Sequence, residues 1–554
     1  MNGIYNNDFH GLLTLLVFLP ALFALVVGFL PKTNTRAIQL VALVGTLAAL
    51  LVSVFVYAGF NPNVTLTPSN PSTDIPQFQL IDKCNWIPNL HINYFLGIDG
   101  ISLLMVLMTT AIWPFVVGVS FKEVTERTRE YYAWVLVMET AVLGVFLSLN
   151  LVLYYVFWEA MLIPMYFLIG IWGGPKRIYA TVKFFLYTMV GSMVMLVSIM
   201  ALYFLGGSTT FDLPDLTAHV HAGLFSGRTT IDILLFLGFF SAFGIKAPVF
   251  PFHSWVPDAY AEANTGGTII LVALKMGIYG FIRFCLPLFP YAVKACAPVI
   301  ITLAVIGIIY AALVAAMQTD LKRLIAYSSI SHIGVIMLGV FTLTSIGMNG
   351  AVIQMVSHTF TTGALFIILG ALYARRQSYK IADYGGLMGV MPLFTVVFLI
   401  ATLSSVALPL TSGFTGELLL LLGSFQTHPW AASFATTAAI WSVVYMLWMF
   451  QRVMHGKITH EENRSLPDLT SGEKWALYPL VVLIFVIGIV PTYTVLSKIN
   501  PSVDVVMTQT KTGYDEPFRV SPPPAEKTVP AQSALADASV PRVAAVPAQP
   551  KGSH

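Results

Sequence analysis

Apolar stretches of span length recur from one end of this 554-residue chain to the other, and they leave little sequence from which a water-soluble core could be built. A helix needs about 20 apolar residues to cross roughly 30 Å of hydrocarbon. Fourteen runs of that kind can be read, near 11–30, 38–59, 98–119, 131–148, 150–171, 180–204, 231–250, 265–286, 297–316, 324–343, 349–374, 390–421, 432–451 and 475–496. Charged residues make up 10% of the chain, against about 25% in an ordinary soluble domain. The expected fold class is an all-α polytopic membrane protein with about 14 transmembrane helices. Residues 1–10 carry Asp8 and no basic residue, unlike the positively charged start of a signal peptide, so the first run is expected to stay as a span.

Lysine and arginine set the expected orientation. With the N-terminus outside, 16 of them fall in cytoplasmic loops and 4 in the opposite loops and just after the last span. Cytoplasmic loops of membrane proteins carry such an excess, so both termini are expected in the periplasm. The loop 61–93 on that side, with Pro, Asn and Asp, is expected to form an ordered cap. Residues 500–554, rich in Pro and Ala and lacking periodicity, are expected to be disordered. Cys84, Cys285 and Cys296 have no metal-ligand spacing, and the chain holds no Walker or GxGxxG pattern. These features imply no cofactor on this chain, and lipid rather than nucleic acid around it.

The segment SAFGIKAPVFPFHSWVPDAY, Ser241 to Tyr260, concentrates two costs in one place. Lys246 stands in an apolar run, where a lysine costs roughly 2.5–3.5 kcal/mol at mid-bilayer. Pro248 and Pro251 remove backbone donors beside it and interrupt the helix. Irregular backbone at membrane depth survives only where protein or a water-filled cavity meets its polar groups. A second interruption is expected within 390–421, where Pro409, Thr411, Ser412 and Gly413 precede Gly416 and Glu417. Five spans separate the two breaks, and an odd separation reverses orientation, as an inverted repeat requires. The units would be 131–286 and 297–451, with 1–130 before them and 475–496 as a last helix.

Glu139, Glu159, Lys183, Lys246, Lys275 and Glu417 lie inside spans, and His332 and His358 join them. Embedded ionisable groups face the bundle interior, pair with each other and mark ion paths. Glu159 is paired in this reading with Lys246, either as a proton-holding switch or as a static ion pair. Lys275 and Glu417 extend a mid-membrane row, and neutral imidazoles at His332 and His358 suit proton transfer near pH 7. The two histidines on adjacent spans also leave haem ligation open. Second-rank candidates are Glu139, Lys183, His253 and Asp258. Lys183 either joins the relay or snorkels to the edge, and His253 and Asp258 either guide protons to Lys246 or tether the loop.

These stretches are also where the chain resembles a known family. GIDGISLLMVLMTT (97–110), VFWEAMLIPMYFLIGIWGG (156–174), RIYATVKFFLYT (177–188), KAPVFPFHSWVPDAYAEA (246–263), TDLKRLIAYSSISHIG (319–334), QMVSHTFTTGALF (354–366) and TSGFTGELLLLLGSF (411–425) are similar to the M-type antiporter-like membrane subunits of bacterial respiratory complex I. The resemblance implies two inverted five-helix repeats with broken helices 7 and 12, and a Glu159–Lys246 pair in the first. It implies a central axis through Lys275 and His332 with His358 nearby, and Glu417 at its distal end. It further implies proton pumping in the inner membrane beside L-type and N-type antiporter-like subunits, driven by quinone reduction elsewhere, with no NADH, flavin or quinone chemistry here. The alternatives are a subunit of a multisubunit sodium/proton antiporter and a membrane subunit of a hydrogenase-like complex. The chain departs from the family at Glu262–Lys275, where Asn264 replaces a proline and the linker is about two residues shorter. Two helical residues are about 200° of rotation, so the turn at Thr265, Gly266 and Gly267 must absorb the difference for Lys275 to face inward.

Overall fold

The computed structural model describes residues 10–63 and 78–515, so the expectations for residues 1–9, 64–77 and 516–554 fall outside the described residues. Thirteen helices among them are long and apolar enough to cross a membrane. Hydrocarbon leaves backbone polar groups no partner outside their own helix, and span-length apolar runs fold accordingly. The first four are α1 (Leu12–Phe29), α2 (Thr35–Gly59), α3 (Gly100–Glu123) and α4 (Thr128–Leu147). Helices α5 (Leu151–Ala160) and α6 (Leu162–Trp172) form one span joined at Met161, and α7 (Arg177–Leu205) follows. A short α8 (Leu213–His221) leads to α9 (Thr229–Lys246), which stops at Lys246, and α10 (Trp255–Glu262) resumes after a turn.

The next span is assembled from α11 (Thr265–Ala273), α12 (Met276–Gly280), a π-helical turn (Phe281–Cys285) and α13 (Leu286–Leu288). Unbroken helices α14 (Pro290–Ala316), α15 (Leu321–Phe341) and α16 (Ser345–Arg376) come after it. The run expected at 390–421 is split into α17 (Pro392–Ser405) and α18 (Ser412–Thr427), each too short to count among the thirteen. Helices α19 (Pro429–Met454), α20 (Ser471–Ile489) and α21 (Ser497–Asp515) complete the fold.

Short polar side chains start many of these helices. Asp99, Asn150, Asn264, Asp320 and Thr344 each accept a backbone N–H from the first turn of α3, α5, α11, α15 and α16. Each such cap satisfies a donor that the helix itself cannot, at about 1 kcal/mol apiece. The α11–α13 span is wholly enclosed by other helices, as is the apolar middle of α16, and α3 and α15 nearly so, whereas α1, α2, α7, α19 and α20 keep exposed apolar faces. Helices α16 and α18 meet backbone to backbone. A Cβ on Gly423 would lie 2.3 Å from the Gly347 nitrogen, and one on Gly350 would lie 2.6 Å from the Leu420 nitrogen.

Beside the all-α membrane bundle, the cap contains a small antiparallel sheet, β1 (Gln79–Ile87) with β2 (Ile92–Ile98). Lys83 inside it pairs with Asp212 at 3.0 Å, which fastens the hairpin to the start of α8. The disorder expected from residue 500 does not begin there, because residues 500–515 belong to α21. Ile499, Val503, Val506 and Met507 of that helix recur at helical spacing and are buried. Ser502 Oγ accepts the Gly100 N–H at 2.9 Å, and a Cβ on Gly100 would lie 2.0 Å from the Lys498 carbonyl oxygen. Pro501 and the polar face of the segment mask this periodicity.

Gly423→Val would force α18 away from α16. Overpacking of this kind costs about 1–3 kcal/mol, so the variant should lose its monodisperse detergent-solubilised form at a lower temperature than wild type. Gly28→Val, where an added Cβ meets nothing within 4 Å, should not. Equal heat resistance of the two variants would refute the close-contact account.

Candidate functional site

Three interruptions of helical spans carry or adjoin the embedded charges. At the first, α9 ends on Lys246 and the backbone turns through 247–254. The groups freed there are met within the protein: Trp255 Nε1 donates to the Ile245 carbonyl at 2.9 Å, and Lys183 Nζ donates to the Ser254 carbonyl at 2.8 Å. At the second, Ala407 (φ 56°) and Leu410 (φ 77°) take left-handed conformations that cost β-carbon residues strain. Ser412 Oγ and Ser404 Oγ there bond to Ser357 and Thr361 of α16, both at 2.8 Å. The third interruption, between α11 and α12, has no proline and no counterpart in the sequence reading. Leu274 leaves helical geometry (φ −72°, ψ 77°), and Lys275 opens the next helical piece.

Lys275 begins a row of polar side chains. Its Nζ lies 3.0 Å from His358 Nδ1, and His358 Nε2 lies 3.5 Å from Thr362 Oγ1. The His358 and His332 rings stand 5.8 Å apart, near edge to face. His332 Nδ1 lies 2.9 Å from Glu417 Oε1, which also accepts Gln354 Nε2 at 3.2 Å. Lys275, His358 and His332 are 3%, 4% and 7% exposed, so each bond here replaces one that water would otherwise supply. A cavity of about 10 Å³ adjoins the Glu417 end, lined by Ser331, His332, Glu417 and Ser442 among others. That is about the room one water needs. Four of the six first-rank residues thus stand in one row as two hydrogen-bonded pairs, with His332 Nε2 unpartnered between them, and the linker departure leaves Lys275 facing inward.

The other two first-rank residues are arranged differently. Lys246 Nζ has no hydrogen-bond partner and sits 5.5 Å from the Trp158 ring and 5.3 Å from the Phe184 ring. Glu159 Oε1 is likewise unpartnered, and among the described residues no ion pair within 4.0 Å joins it to Lys246. Ring faces stabilise a cation by about 0.5–2 kcal/mol, less than the several kcal/mol that burial of an ion costs. Lys246 and Lys275 are linked through backbone instead. A Cβ on Gly277 would lie 2.6 Å from the Phe243 carbonyl oxygen and 2.7 Å from the Ala247 nitrogen, so the piece that follows Lys275 rests against the end of α9.

Among the second-rank residues, Asp258 joins Lys183 at 2.8 Å and Arg323 at 3.1 Å, which ties α10 to α7 and α15. His253 packs between the Phe250 and Tyr310 rings, and its Nδ1 has no partner. Glu139 is wholly buried on α4 with neither oxygen partnered, apart from the row. Besides Lys83, two buried cations escaped the sequence reading. Arg283 pairs with Asp99 at 2.5 Å and donates to Tyr279 Oη at 3.0 Å, all three enclosed. Lys322, counted there as a loop residue, donates to the Ala263 carbonyl at 2.7 Å beneath the Tyr379 ring. An aspartate opening one apolar run and an arginine closing another would have been the signal for the first. Among the described residues no group of three or more His, Cys, Asp or Glu side chains could hold a metal ion.

The profile of the family described as NADH:quinone oxidoreductase/Mrp antiporter, TM, matches residues 148–442. The chain is similar to NADH-quinone oxidoreductase subunit M of Rhodobacter capsulatus, with 42% identity over 511 residues, 89% of this chain and 96% of that one. It is similar to the subunit M of Mycobacterium tuberculosis (strain CDC 1551 / Oshkosh), with 39% identity over 531 residues, 90% of this chain and 94% of that one. A chain in the solved structure of respiratory complex I from Thermus thermophilus with bound NADH superposes with a TM-score of 0.79 at 30% identity, covering 90% of this chain and 99% of that one.

Asp258→Asn would leave Lys183 and Arg323 facing each other without a carboxylate. The pairs are partly exposed, so the expected loss is about 1–2 kcal/mol, read as earlier thermal unfolding in detergent. The added mutation Lys183→Met should cost the Asp258→Asn variant less than it costs wild type. Equal cost in both backgrounds would show that Asp258 is not a tether.

Proposed function

Since the chain belongs to the family of NADH:quinone oxidoreductase and Mrp antiporter membrane subunits, and within it to subunit M, we propose that it moves protons across a bacterial inner membrane as one membrane-arm subunit of an NADH:quinone oxidoreductase. The row Lys275–His358–His332–Glu417 carries this reading. Each member can hold or release a proton, and the hydrogen bonds at both ends are of transfer length. Electrons pass elsewhere in the complex, and this chain is a non-redox pumping subunit.

In the proposed mechanism Lys246 and Glu159 are the input. A change in the neighbouring subunit draws them together or apart, and water bridges them when both are charged. Movement at the end of α9 is felt at Lys275 across the Gly277 contact. An ammonium at Lys275 donates to His358 Nδ1, which leaves the other ring nitrogen to carry hydrogen towards Thr362. Transfer across the two imidazoles, bridged by water, then exchanges a proton between Lys275 and Glu417, and the charge on Glu417 sets its hold on His332 and Gln354. The two inverted five-helix units, the broken helices 7 and 12 as their centres, the outward termini and the L-type and N-type neighbours belong to the same proposal. The interruptions after Lys246 and before Ser412 support it.

Inverted membrane vesicles supplied with NADH test this reading. Complexes carrying Lys246→Ala or Glu417→Gln should assemble but acidify the vesicle interior several-fold more slowly per complex than wild type. Undiminished pumping by both assembled variants would refute it. Acidification driven by an imposed sodium gradient, with no NADH present, would favour the antiporter alternative instead.

A further inference from the structure

Helices α15 and α19 face each other beside Glu417 and present hydroxyls at one-turn spacing. On α15, Ser328 lies three residues before Ser331 and four before His332, so all three share a face. On α19, Ser442 and Tyr445 are likewise three apart. Ser331, His332, Glu417 and Ser442 line the cavity of about 10 Å³. One turn beyond it, Ser328 Oγ and Tyr445 Oη are hydrogen-bonded at 2.8 Å. Tyr445 is 1% exposed and Ser328 3% exposed, and the Tyr445 hydroxyl lies within electrostatic range of the Glu417 carboxylate. The pair sits on the side of the cavity towards the start of α15 and the end of α19, where Arg323 and Arg452 lie.

We infer that the Ser328–Tyr445 hydroxyl pair is a branch of the proton path, joining Glu417 to the arginine-bearing end of the bundle through one water in the adjoining cavity. The inference rests on the proposed function of the row. Packing alone explains the pair poorly, because phenylalanine and alanine would fill the same space without burying two hydroxyls. Each hydroxyl both donates and accepts, which is what a relay needs. A proton reaching the Ser328 oxygen displaces the hydrogen of Ser328 to the Tyr445 oxygen. The Tyr445 hydrogen passes to the cavity water, and that water gives one of its hydrogens to the Glu417 carboxylate. Both hydroxyls and the water end neutral, with their O–H bonds turned round, and Glu417 gains one proton. Turning them back resets the branch.

The test uses the assembled complex in inverted membrane vesicles, with NADH-driven acidification measured per assembled complex. Tyr445→Phe keeps the ring and removes the hydroxyl, and it should lose as much pumping as Glu417→Gln. Ser328→Ala should show the same loss, and Ser328→Thr, which restores a hydroxyl, should recover it. If Tyr445→Phe fails to assemble, the Ser328 pair carries the test, because a merely structural role predicts no recovery specific to a hydroxyl. Wild-type pumping by Tyr445→Phe or Ser328→Ala, alongside a loss in Glu417→Gln, would overturn the branch and leave the proposed function standing. Wild-type pumping by Glu417→Gln and Lys246→Ala as well would overturn both.

Discussion

A charge enclosed by apolar helices has to be met by a group within hydrogen-bonding reach, and the contact between Lys275 and His358 is where this chain meets that demand at its centre. The contact depends on an irregular backbone. An unbroken helix through Leu274 would turn Lys275 to another face, whereas the interruption there directs it at α16. The enclosing helices are capped at Asn264, Asp320 and Thr344, and serine and threonine bonds join α16 to the two halves beside it.

The embedded charges fall into two classes. Arg283 with Asp99, Lys183 with Asp258 and Lys83 with Asp212 have carboxylate partners and fasten one element to another. Lys246, Glu159 and Glu139 have at least one buried polar atom left over. A fully paired ion holds its surroundings still, whereas an incompletely paired one gains much from a small movement of a neighbour or from a water. The first class lies towards the ends of spans or in the hairpin, whereas Glu139 and Glu159 of the second lie within spans and Lys246 lies where α9 breaks off. Such a division suits a scaffold that is rigid at its margins and responsive inside.

The spans and the embedded charges were legible in the sequence because their cost is local. Twenty apolar residues, or one lysine among them, cost the same whatever the partner proves to be. Partnership was less legible, since it depends on how helices rotate against each other. Lys183 met Asp258, and Glu159 and Lys246 stayed short of contact. The interruptions at Lys246 and before Ser412 announced themselves through proline, whereas Leu274 carried no such mark. In α21 the buried face at Ile499, Val503 and Val506 was hidden by a proline and by polar residues on the other side. Arg283 looked like an edge residue because Asp99, which encloses it, stands 184 positions away.

Gly277 gives the arrangement a mechanical property. With no side chain there, two interrupted helices share one joint, and neither stump can slide without shoving the other. Main-chain atoms rather than bendable side chains form both bearing surfaces, so a push on the stump of the first lysine bears on the second with no side chain between them to yield.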